Sequence, residues 1–104
     1  MKRYKPKRRA IQYQIDKAKR EIREERPAMC EGCGRWDKPL DVSHHIALST
    51  SLDYAADKRN MALMCRDCRK RVEAGKWHLL NNGDQIIEYI APREPQLLLK
   101  ADRH

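Results

Sequence analysis

The sequence predicts a small α+β domain that folds around a bound metal more than around a large apolar core. Three observations predict it. All four cysteines fall in two matching pairs, Cys30/Cys33 and Cys65/Cys68. Two strand-like segments follow the first pair: Leu40–Ile46, which alternates, and Met61–Cys65, a short apolar run that leads into the second pair. Ile11, Ile15, Ala18 and Ile22 recur at helical spacing ahead of them, the stripe of an amphipathic helix. The chain has 104 residues, is 40% hydrophobic and contains no Phe, so a single core is marginal at this length.

Four cysteines in two Cys-x-x-Cys pairs suit one tetrahedral zinc, whose thiolate ligands bind at about 2.3 Å. Each pair sets two sulfurs on a tight turn, and the long gap lets the turns close on one ion. Two disulfides or four unrelated thiols are the competing readings. A structural zinc would contribute on the order of 10 kcal/mol to folding, which offsets the thin core.

Taken in order, residues 1–9 read as a flexible basic arm in which only Tyr4 can pack. The helix follows and ends at Pro27, with Asp16/Arg20, Lys17/Glu21 and Arg20/Glu24 four apart on its other faces. Residues 28–39 form the first knuckle, with Gly32 and Gly34 in its turns and Trp36 packing over it. In the strand at Leu40–Ile46, alternation puts Leu40, Val42, His44 and Ile46 on one face and Asp41, Ser43 and His45 on the other. Residues 47–60 form a polar loop, and Met61–Cys65 a second strand. Arg66–Ala74 reads as a helix starting in the second knuckle and stopping at Gly75. Asn81-Asn82-Gly83-Asp84 between apolar runs 77–80 and 85–90 predicts a hairpin. Pro92 and Pro95 then break regular structure, and Leu97-Leu98-Leu99 either docks on the core or marks a partner contact. Three regions result: arm and helix (1–27), knuckle domain (28–75), hairpin and tail (76–104).

Formal net charge is +8, and residues 1–26 hold 11 Lys/Arg against 4 Asp/Glu. A basic arm beside a near-neutral body points to a polyanion partner, nucleic acid above all; a solvated basic helix is the plainer reading. No stretch approaches the roughly 20 apolar residues that would span a bilayer, and no apolar signal core follows the basic start. The expected location is the cytoplasm, where paired thiols stay reduced.

Between the knuckles lies a constellation fit for phosphodiester chemistry. A neutral imidazole takes a proton from water near its usual pKa of about 6.5, and neighbouring strand residues such as His44 and His45 point to opposite faces and so hold different jobs. The order Cys30-Glu31-Gly32-Cys33-Gly34, Val42-Ser43-His44-His45-Ile46, Asn60, Leu63-Met64-Cys65-Arg66-Asp67-Cys68 resembles the HNH endonuclease family over residues 28–75. The resemblance implies a ββα-metal fold, a structural zinc on the cysteines, and a separate catalytic Mg2+, Mn2+, Ni2+ or Zn2+. It implies hydrolysis of nucleic acid, with DNA favoured, in a bacterial or phage-infected cell. His45 would be the general base, His44 would help hold the catalytic metal, and Asn60 would orient the base.

The chain departs from the family at Arg69, where a metal-binding His usually follows the last cysteine. Guanidinium cannot ligate a cation. Glu73, one turn on, could supply a carboxylate instead, and Arg69 could contact the scissile phosphate. Lys7, Arg8, Arg9, Arg66, Lys70 and Arg71 are the expected phosphate contacts. Two other readings stand beside the enzyme: a catalytically silent zinc module that binds nucleic acid or protein, and a subunit of a larger phage DNA-processing complex.

Overall fold

The computed structural model describes residues 5–101, with side chains from residue 9 onward. Helix α1 spans Lys5–Glu25 and strand β1 Asp41–His44; β2 covers Met61–Met64, α2 Arg66–Glu73 and α3 Gly83–Ile90. Single 3₁₀ turns occupy Lys58–Asn60 and Trp77–Leu79, and a longer one runs over Pro95–Lys100.

α1 begins inside the segment expected to be a loose arm. Pro6 stands in its first turn, where a missing N–H costs nothing, and Lys, Arg and Ala are good helix formers. Residues 1–4, Tyr4 among them, lie outside the described residues, as do the side chains of Lys7 and Arg8. Ile15, Ala18 and Ile22 are buried. Ala18 and Ile22 pack with Val42, Met61 and Leu63, so the stripe seats α1 on one face of the sheet.

The sheet is an antiparallel pair with Val42 opposite Leu63 and His44 opposite Met61. Its second face is buried as well, because Ala62 and Met64 pack with Cys30, Cys65, Cys68, Val72, Trp77, Ile86, Tyr89 and Ile90. β2 is thus buried along its whole length, which explains an apolar run without alternation. The expected grouping of Leu40, Val42, His44 and Ile46 on one face fails at both ends. Val42 lies on the α1 side, but Leu40 and Ile46 pack on the opposite side. The strand stops at His44, so period-two alternation does not reach them.

The expected C-terminal hairpin is replaced by a 3₁₀ turn and α3. Ile86, Tyr89 and Ile90 are buried, the i, i+3, i+4 pattern of one helix face. A two-residue hairpin turn of the favoured type needs positive φ at Asn82, whose φ is −98° as it precedes α3. Gly83 is required for another reason: a Cβ there would collide with the carbonyl of Trp77. Gly75 does stop α2, at φ +74°. Leu97 and Leu98 are half-buried against the core, while Leu99 is exposed. Trp36, expected to pack over the first knuckle, instead stands in solvent. Among the described residues no helix is long and apolar enough to cross a membrane.

Candidate functional site

The two knuckles meet. The sulfurs of Cys30, Cys33, Cys65 and Cys68 all lie within 4.8 Å of one another, and no disulfide joins them. Cys33 Sγ and Cys65 Sγ are 3.8 Å apart, which matches the edge of a tetrahedron with metal–sulfur bonds of about 2.3 Å. At Cys30 the surroundings favour thiolate. Backbone N–H groups of Gly32 and Cys65 each donate to Cys30 Sγ at 3.3 Å, and Arg71 Nη1 donates to Cys68 Sγ at 3.4 Å. Burial pushes the Cys30 thiol up, but the N–H groups of Cys65, Cys33 and Gly32 outweigh it and hold the thiol at about 7. Burial, and then the neighbouring thiols, push Cys68 up. Such crowding is relieved when a divalent cation replaces the shared protons. The donor set therefore fits a structural zinc.

Asn60 closes the loop between the strands. Its Oδ1 accepts from Ile46 N at 2.7 Å, and its Nδ2 donates to the carbonyls of Ile46 and Tyr54, both at 3.1 Å. Its own carbonyl accepts from His45 N at 2.8 Å. A fully buried amide thus locks the bend just after β1, and His45 is the residue that bend displays.

His45 is 9% exposed and lines a groove of about 500 Å³ with Arg26, Glu31, Arg59, Gln85, Glu88, Tyr89 and Arg93. Its Nδ1 is buried without a hydrogen-bond partner. Burial, then the nearby His44 and Arg26, lower its pKa to about 4, so the ring is neutral near pH 7. The Tyr89 ring meets it edge-on at 6.0 Å. Tyr89 Oη donates to Asp57 Oδ2 at 2.8 Å, and Arg59 grips the same carboxylate through Nε at 3.1 Å and Nη2 at 2.9 Å. The Arg93 guanidinium stacks 3.9 Å from the centre of the Tyr89 ring. Arg26 is held by Glu31 at 3.0 Å and by the carbonyls of Met61 and Lys58 at 2.7 and 2.9 Å.

The other expected site residues lie elsewhere. His44 is on the α1 side of the sheet; its Nε2 donates to the carbonyl of Ala55 at 2.9 Å, leaving Nδ1 the free lone pair. Burial lowers its pKa too. Arg69 pairs with Asp41 at 2.9 Å. Glu73 is exposed, and neither it nor Arg69 lines the His45 groove. Among the described residues, no second group of three His, Cys, Asp or Glu side chains is gathered as a metal seat. Arg9, Arg66 and Lys70 are exposed.

Arg26, Glu31, Tyr89 and Arg93 had no signal of their own in the sequence. Tyr89 and Arg93 stand four apart and become neighbours only once 83–90 is a helix. No family model, curated protein or solved structure matches this chain.

Proposed function

We propose that this chain is a zinc-stapled, HNH-type endonuclease that hydrolyses phosphodiester bonds in DNA. The observation that carries the reading is the Asn60-locked bend that holds His45 at the wall of a groove bearing three arginines. A fixed neutral imidazole can take a proton from attacking water. Guanidinium groups can bind the phosphate and offset charge that grows on it. Arg59 and Arg26 are engaged with the carboxylates of Asp57 and Glu31, whereas Arg93 donates to the carbonyl of Tyr89 at 2.9 Å. The cysteine cluster would hold zinc in a purely structural role. A catalytic divalent cation would supply Lewis-acid stabilisation of the phosphate; the chain offers it no three-ligand seat among the described residues, so its own share lies in His45, Asn60 and the arginines.

The second reading is a catalytically silent nucleic-acid-binding module, whether alone or within a larger DNA-processing complex. It is favoured by the placement of the expected metal ligands, with His44 bonded to Ala55, Arg69 paired with Asp41, and Glu73 in solvent. Supercoiled plasmid incubated with Mg2+, Mn2+ or Ni2+ separates the two. The enzyme nicks it, and His45→Ala lowers the rate by about 10²–10⁴-fold. Retardation of plasmid without nicking in any metal, or nicking untouched by His45→Ala, would overturn the first reading.

A further inference from the structure

The first knuckle displays a side chain that neither the core nor the His45 groove uses. Trp36 is 79% exposed, whereas Trp77, the only other tryptophan, is 2% exposed. Large aromatic side chains are rarely left so open. The base beneath Trp36 is stiff. Cys30 N donates to the Arg35 carbonyl at 2.7 Å, and Gly34 N to the Cys30 carbonyl at 2.8 Å. On either side of it in sequence, Arg35 donates to Asp37 through two hydrogen bonds of 3.0 and 2.8 Å. Lys38 lies 3.9 Å from Asp67 at the start of α2, which joins the loop to that helix. A cleft of about 410 Å³ bounded by Lys38, Pro39, Asp41, Arg66 and Asp67 marks the join. Residues 35–41 and 66–71 together hold six Lys/Arg against three Asp, and Arg66 and Lys70 are exposed.

We propose that Trp36 is a stacking platform for an unpaired base, and that single-stranded nucleic acid crosses this face of the knuckle and α2. The inference rests on the nucleic-acid part of the reading above and not on catalysis. An indole offers a flat π face that any base can cover, and nearby cations follow the backbone. Bases within a duplex are already stacked and cannot reach it. A protein partner would want apolar neighbours around the anchor, but those in sequence here are Arg35, Asp37 and Lys38.

The two tryptophans make the test direct. The zinc-loaded full chain is titrated with an oligo-dT of about 12 nucleotides, within the usual span of such sites. Emission is read beside the anisotropy of a labelled strand. The Trp36 emission is quenched to saturation as the strand binds, while Trp77 stays shielded. Trp36→Ala, at an exposed position that tolerates it, removes the quench and weakens binding by roughly ten- to hundredfold. Duplex of equal length gives no quench, and its affinity is unchanged by the substitution. Strand binding without quenching, equal affinity for Trp36→Ala, or an equal response to duplex would each overturn the proposal. Plasmid nicking or retardation persisting beside such a result leaves the groove reading intact. If no nucleic acid binds at all, both fail together.

Discussion

Asn60 is the residue on which the site's geometry depends. Its amide satisfies three backbone groups from two separate segments, and a buried backbone group left without a partner is expensive. Asn60→Ala is therefore expected to lower stability by about 2–4 kcal/mol, read as a shift in the urea midpoint of the zinc-loaded protein. His45 has a pH signature. Its folded pKa lies near 4 against an ordinary 6.5, chiefly through burial. Below about 6.5 the unfolded chain takes up a proton that the folded one refuses, so His45 penalises folding as pH falls towards 4 and has no effect above 6.5. The slope is at most about 1.4 kcal/mol per pH unit. His45→Gln should flatten the stability profile between pH 6.5 and 4 relative to wild type; parallel profiles would refute the assignment. Asp57 acts in a lower window. Held down to about 2 from 3.8, first by Arg59 and then by Tyr89 and the Arg59 N–H, it keeps its contribution above pH 3.8 and loses it as pH falls through 2.

At the scale of elements, α3 changes what the site is. Residues 85–90 are an apolar run, and Asn82-Gly83 before it invites a hairpin turn, yet the segment buries Ile86, Tyr89 and Ile90 together. A strand would pair Ile87 with Tyr89; the helix separates them and leaves Ile87 exposed. Ile86→Ala should cost about 2–5 kcal/mol, while Ile87→Ser should stay within about 0.5 kcal/mol, both by urea denaturation. Equal costs would speak for a hairpin. Because 83–90 is helical, Tyr89 and Arg93 stand beside one another and face His45. The short strands tell the opposite story. β1 and β2 are legible in the residue pattern, but both are shorter than it suggests, and four residues of strand cannot carry alternation across seven.

For the whole molecule, the cysteine cluster ties the first knuckle to the second within the larger core. Cys30, Cys65 and Cys68 sit inside the larger core cluster beside Met64, Trp77 and Ile86, so metal binding and core packing form together. Stripping the metal with a strong chelator should collapse the cooperative unfolding transition and change the far-UV circular dichroism spectrum, with Cys65→Ser behaving alike. An unchanged spectrum and midpoint would show that the apolar core suffices. The long basic helix, packed through Ala18 and Ile22 on the far side of the sheet, leaves Arg9, Arg20 and Arg23 in solvent.

The sequence by itself determined the two paired-cysteine turns, the two short strands, the stripe of α1 and the stop at Gly75. Each is a local property, written in the spacing of a few residue types within one segment or in a short motif. Tertiary structure alone decided that Arg26, Arg59, Tyr89 and Arg93 surround His45, and that Arg69 turns to Asp41. Those outcomes depend on which apolar faces compete for one small core and which carboxylates reach which guanidiniums, and no pattern along the chain encodes distances between segments.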